Sequence, residues 1–178
     1  MPFQSQEFVA LRLMRETTSP ARTSENNKIA ELDLAAEILA SGGIIRLRAF
    51  GSSMLPAIWP GDILTIESVA LRWPVTGDIV LIRINNRAFI HRVQELQSGQ
   101  DSPLWITRGD AVPECDPAVS GAQLQGTVSL IQRGRRWIVP SPQRSNLVRL
   151  LAWVLCHCNP LRNICLRAHQ ATSNSRDE

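Results

Sequence analysis

Between Ile44 and Val139 the chain is a succession of short β-branched runs broken at glycine-aspartate and asparagine pairs. That pattern confines it to a mainly β fold. The expected strands are Ile44 to Ala49, Ile63 to Glu67, Ile79 to Ile84, Ala88 to Leu96, Leu104 to Thr107, Leu124 to Gln132 and Arg136 to Val139. Asn85-Asn86 reads as a hairpin turn, because both residues tolerate positive φ and the apolar runs on either side can pair antiparallel. Gly61-Asp62 and Gly77-Asp78 are each followed at once by an apolar strand, the spacing of a meandering, coiled antiparallel sheet.

Helical signals flank this β region. Ile29, Leu32, Ala36 and Leu39 share one face of a helix expected from about Lys28 to Ala40, with Asn26 or Asn27 as cap and Gly42-Gly43 as stop. Residues 1–27 are polar, with Ser, Thr, Asn and Pro clustered from Thr17 to Asn27, and are expected to form a flexible arm. After Pro140-Ser141-Pro142 a second helix is expected over about Arg144 to His157, with Leu147, Leu150, Leu151, Val154 and Leu155 on one side and Pro160 beyond its end. The organisation read from sequence is therefore an arm (1–27), a helix plus β-rich domain (28–140) and a basic helical extension (141–178). No internal repeat is present.

A chain of 178 residues suits one domain with terminal extensions, and its 44% apolar content is ordinary for a globular protein. The net charge of +3 conceals an asymmetry: residues 117–176 hold eight arginines and no acidic side chain, whereas residues 1–116 hold eleven basic against fourteen acidic ones. A cationic tail with an apolar stripe is suited to peripheral contact with an anionic membrane surface. Nucleic acid is not an expected partner, since no DNA-binding motif accompanies the arginines. No apolar run reaches the roughly 18 to 20 residues a spanning helix needs. The N-terminus lacks the charged lead, apolar run and cleavage site of a secretory signal. The expected location is cytoplasmic or peripherally membrane-associated.

Four cysteines do not form a disulfide framework here, because Cys115 stands apart from Cys156, Cys158 and Cys165; they read as thiols. Cys156-His157-Cys158 with Cys165 has the ligand types of a zinc site, but adjacent residues on a regular helix cannot all face one metal. Neither metal nor cofactor is expected.

Four short boxes remain. They are Gly51-Ser52-Ser53-Met54-Leu55-Pro56 with Gly61-Asp62, then Gly77-Asp78-Ile79-Val80, then Ile90-His91-Arg92-Val93, then Thr107-Arg108-Gly109-Asp110 with Asp116-Pro117. In this order and spacing, over about residues 44 to 132, they resemble the signal peptidase family. The similarity is closest to the branch of archaea, the endoplasmic reticulum and some spore-forming bacteria, which uses histidine where the common bacterial enzymes use lysine. This chain holds a single lysine, Lys28, upstream of the serine, and His91 stands 38 residues after Ser53 where a lysine would be required.

The resemblance implies acyl transfer to a serine. Ser53 would attack the scissile carbonyl, His91 would take its proton and pass it to the leaving amine, and a carboxylate would orient the imidazole. Asp116 and Asp110 compete for that last role; the resembled branch places its acidic residue six positions beyond the Gly-Asp turn, at Asp116. The backbone N–H of Ser53, with Ser52 beside it, would meet the oxyanion. Met54, Leu55, Pro56 and Ile58 would wall shallow pockets for small side chains, and an extended peptide or preprotein would add as a strand at a sheet edge.

The pattern departs from that family at one position. The common enzymes carry a hydroxyl two residues before the nucleophile, and here that residue is Gly51. The Gly-x-Ser-Met form is instead similar to the self-cleaving repressor peptidases of the LexA type, which share the β fold but depend on lysine. Two alternatives to an endopeptidase follow: a non-catalytic peptide-binding or regulatory module on the same scaffold, or a self-processing LexA-like protein.

Overall fold

A computed structural model describes residues 23–84, 87–99, 102–142, 151, 152 and 154 of the chain. Helix α1 (Thr23–Ala40) is followed by β1 (Ile44–Arg48), β2 (Ile63–Ser68), β3 (Ile79–Ile84), β4 (Arg87–Ser98), β5 (Pro103–Arg108), β6 (Val119–Ser120), a 3-10 turn (Gly121–Gln123), β7 (Leu124–Arg133) and β8 (Arg136–Ile138). The strands form one antiparallel sheet in the order β1-β2-β7-β3-β4-β5-β6, with β8 folded onto β7. The path ends at β1 and β6, so the sheet is not a closed barrel. The mainly β architecture expected from sequence is the one found.

Strand periodicity shows where the core sits. β1 and β2 alternate, burying Ile45, Leu47, Leu64 and Ile66 on one face only. β3 is buried at four consecutive positions, Ile79 to Ile82, as a strand covered on both faces must be. Ile79 and Leu81 join the main core with Leu39, Ile90, Val128 and Ile131, whereas Val80 and Ile82 point the other way, into a second cluster with Val93, Trp105, Val119 and Leu124. The second core lies over β3 to β6, the half of the sheet that carries the histidine.

The helix packs on β1, β2 and β7 through Ala35 and Leu39, with Leu32 and Ile38 partly buried beside them. Full burial of a side chain the size of Leu39 contributes about 1.5–3 kcal/mol of hydrophobic stabilisation. Gly42 (φ 82°) ends the helix, and the Gly43 N–H donates to the Ile38 carbonyl at 2.9 Å, the bonding of a Schellman stop.

Several expectations need correction. The helix begins at Thr23, not near Lys28, so Asn26 and Asn27 lie inside it instead of capping it. Polar residues cost a helix only tenths of a kcal/mol each relative to the best formers, roughly up to 0.7, so a polar lead does not stop one that is anchored further on. The buried stripe passes through Ala35, not Ala36. β4 runs two residues beyond Leu96, and β6 with its 3-10 turn was not foreseen, since a two-residue strand has no period to read. β3 and β4 pair directly through Ile84 and Arg87, as the hairpin requires; Asn85-Asn86 themselves lie outside the described residues. So do residues 1–22 of the expected arm, most of the expected C-terminal helix, and Cys156, His157, Cys158 and Cys165. Among the described residues no helix is long and apolar enough to cross a membrane.

Candidate active site

His91 lies on β4 opposite Val80 of β3. Because side chains alternate along a strand, Phe89, His91 and Val93 share the face of the second core, while Ile90 and Arg92 point to the other face. Thr107 of β5 pairs with Val93 and so presents its hydroxyl on the His91 face. From β5 the chain runs through Gly109 and Asp110 and returns, the Asp116 N–H donating to the Thr107 carbonyl at 2.8 Å. This return sets the Asp116 carboxylate against both residues. Asp116 Oδ2 is 2.6 Å from His91 Nδ1 and accepts from Thr107 Oγ1 at 2.7 Å. The site is largely buried: Thr107 is fully buried, and the side chains of His91 and Asp116 are 9% and 16% exposed.

An ionised carboxylate can only accept, so Nδ1 carries the hydrogen and Nε2 is the basic nitrogen of His91. Asp116 and Thr107 thereby fix tautomer and ring orientation together. Thr107 stands at the head of the fourth box but is given no role from sequence. Its signal was there to read, as the strand residue immediately before Arg108-Gly109-Asp110 and two positions from Trp105 on the same face.

Ser53 comes from the connection between β1 and β2. That segment makes one helical turn, with the Ile58 N–H donating to the Met54 carbonyl at 2.9 Å, and the Ser53 carbonyl accepts from the Ala111 N–H at 2.8 Å. Gly109 packs on it so closely that a Cβ there would stand 2.7 Å from the Ser53 oxygen and 3.1 Å from the Ser53 Cβ. One loop, residues 109–116, thus touches the turn of the serine and the ring of the histidine. The Ser53 hydroxyl is buried and makes no hydrogen bond among the described residues, to His91 or to any other group.

The two aspartates have separated. Asp110 does not hold His91; its buried carboxylate is gripped by Arg92, with Nε to Oδ1 at 3.0 Å and Nη2 to Oδ2 at 2.9 Å. The Gly-Asp turns upstream serve the fold. Asp62 accepts from the Trp59 N–H and takes the fork of Arg133 from β7, and Asp78 accepts from the Val75 N–H and from Arg72.

The expected pocket walls are corrected. Met54 and Ile58 belong to the main core, and Leu55, fully buried, packs with Ala111 and Trp59; of the four, only Pro56 is partly exposed. The helical turn after Ser53 is responsible, since it directs positions 54 and 58 to the same inward side. Ser52 is buried beside Ser53, and Gly51, exposed with φ 85°, offers no hydroxyl. A cleft of about 220 Å³ lined by Ser68, Arg72, Gly77, Asp78, Thr127 and Val139, among others, contains neither Ser53, His91 nor Asp116.

Residues 14–102 match the Peptidase S24-like family. The match spans half of the chain, includes β1 to β4 with Ser53 and His91, and shows that the protein belongs to this family. It ends before Thr107, Asp110 and Asp116. No match was found among curated proteins or solved structures.

Proposed function

We propose that this protein is a serine endopeptidase of the histidine type, with Ser53 as nucleophile, His91 as general base and acid, and Asp116 as the group that orients His91. The observation that carries this reading is the 2.6 Å contact between His91 Nδ1 and Asp116 Oδ2 in a partly buried setting. It leaves Nε2 as the proton acceptor that a serine hydroxyl requires. Family membership supports a hydrolase, and the absence of a lysine after Ser53 directs the base to His91.

In the proposed reaction Ser53 Oγ bonds to the scissile carbonyl carbon as its proton passes to His91 Nε2. The C–N bond then breaks while the imidazolium returns that proton to the leaving amine. Water, deprotonated by His91, releases the acyl group as a carboxylic acid and restores Ser53. The backbone N–H of Ser53 is the donor proposed for the oxyanion, with Ser52 beside it. The substrate class, an extended peptide or preprotein cut after a small residue, follows the resemblance to signal peptidases. β1 supports it as a docking edge: among the described residues it pairs with β2 and no other strand, and Ser53 follows its last residue by five positions. The arginine-rich tail is proposed to supply peripheral membrane contact.

The absence of a hydrogen bond on Ser53 Oγ and the glycine at position 51 favour a second reading, a peptide-binding module without turnover. The test is labelling of the purified protein with a fluorophosphonate serine probe, comparing wild type, Ser53→Ala and His91→Ala, with the adduct located by mass spectrometry. An adduct on Ser53 that requires His91 establishes the peptidase chemistry. A folded protein that takes no label between about pH 6 and 9 supports the binding module, since its serine lacks an activating base. Cleavage of the chain itself on incubation marks self-processing.

A further inference from the structure

Arg92 is 3% exposed, directly follows His91, and makes bonds through all three guanidinium nitrogens. Nε and Nη2 form the fork on Asp110, at 3.0 and 2.9 Å, while Nη1 donates to the Gly77 carbonyl at 2.7 Å and to the Ser141 carbonyl at 3.3 Å. The Asp110 side chain is completely buried. On one side of Asp110, Gly109 abuts Ser53; on the other, Ala111 donates its N–H to the Ser53 carbonyl. The same loop continues to Asp116 and its contact with His91. A rigid planar group therefore ties the strand that bears the base to the loop that touches the nucleophile's turn and carries the base's carboxylate.

We propose that Arg92 is a positioning residue which, through Asp110, sets the spacing between His91 and Ser53 without touching either side chain's reacting atom. This rests on the serine peptidase reading. The geometry explains why an arginine stands here. A bidentate grip fixes both distance and angle between the two elements, and a fourth contact, on Ser141, joins the chain beyond β8 to the same point. A lysine would keep the charge but not the fork, and Asp110 would turn on a single contact. Misplacement of a reacting group by about 1 Å can cost roughly 10²-fold in rate.

The test compares full-length wild type, Arg92→Lys and Asp110→Asn by two measurements. The first is acylation of Ser53 by the fluorophosphonate probe, separated into the rate constant of the bound complex and the affinity before reaction. The second is amide hydrogen exchange at Ala111 and Asp116, whose N–H groups bond to Ser53 and Thr107, against Val93 and Ile58, whose bonds lie outside the loop. Positioning predicts an acylation rate constant lower by about 10²-fold with affinity nearly unchanged. It also predicts loss of protection of about tenfold or more at Ala111 and Asp116, with Val93 and Ile58 held. Uniform loss of protection at all four amides, or unchanged protection at Ala111 with normal acylation, would overturn it, since Arg92 would then serve global stability alone or nothing at the site. If Arg92→Lys does not fold, Asp110→Asn, which keeps the volume of the side chain, carries the same comparison. Should wild type take no label, the peptidase reading falls while the exchange pattern still decides whether Arg92 holds this loop.

Discussion

Asp116 reaches His91 from 25 residues further along the chain, and the two side chains meet at 2.6 Å because Thr107 holds that carboxylate at 2.7 Å. The pair is assembled by strand register. Val93 lies opposite Thr107 in the sheet, so His91, two residues before Val93, and the Thr107 hydroxyl share a face. The returning loop needs only the bond from the Asp116 N–H to the Thr107 carbonyl to complete the triangle.

Asp116→Asn tests the role of this carboxylate. The amide keeps the shape but can present a donor to Nδ1, which favours the tautomer whose Nε2 bears hydrogen and cannot accept the serine proton. If the proposed chemistry holds, acylation of Ser53 is expected to fall by up to about 10⁴-fold with little change in fold, as the same change does in Ser-His-Asp peptidases. Measurement of the labelling rate alongside the circular dichroism spectrum checks both halves.

Thr107→Val removes one donor to Asp116 with almost no change in volume. Thr107 is fully buried, so valine in its place brings no other donor to that spot, and the partly exposed Asp116 carboxylate loses its bond from this strand. The expected cost is about 1–3 kcal/mol of stability, read from urea unfolding, with a slower Ser53 acylation that is less severe than in Asp116→Asn.

Gly109→Ala places a methyl group 2.7 Å from the Ser53 carbonyl oxygen and 2.9 Å from Val112 Cγ2. Backbone on one side and a branched side chain on the other leave it no room. Overpacking of this kind costs about 1–3 kcal/mol and is expected to push the loop off Ser53, lowering both the unfolding midpoint and the labelling rate.

Leu39→Ala addresses the fold apart from the site. Leu39 is 1% exposed and lies in the main core, its Cδ2 only 3.3 Å from where a Cβ on Gly126 would stand. Loss of about 2–5 kcal/mol is expected, visible in urea or thermal unfolding, while the folded fraction labels at the wild-type rate.

How much of this was legible beforehand differs by element. β1 to β5, β7 and β8 are all expected from their apolar runs, because a strand's period of two survives in sequence whatever it packs against. Ser53, His91 and Asp116 were identified through ordered boxes that resemble a known family, and the structure brings the last two into contact. The helix start was misplaced because Thr23 to Asn27 carry polar side chains whose weak local preferences neither favour nor forbid a helix. The supposed pocket walls Met54, Leu55 and Ile58 looked like surface lining only while the turn after Ser53 was unknown; one bond, from Ile58 to Met54, rotates them into the cores.

The residues themselves determined the mainly β class, the stop at Gly42-Gly43, the presence of a histidine and no lysine downstream of Ser53, and the short list of candidate groups for the proposed chemistry. These are local properties: backbone propensity, steric freedom of glycine and side-chain functionality act over a few residues at a time. Only the tertiary structure shows that Asp116, the aspartate the resemblance favours, lies against His91, that Arg92 takes Asp110, and that Thr107 and Gly109 belong to the same assembly. Those relations depend on the pairing of β4 with β5 and on the path of a single loop. Distances between residues far apart in the chain are set by the whole sheet, and no period or motif in the chain encodes them.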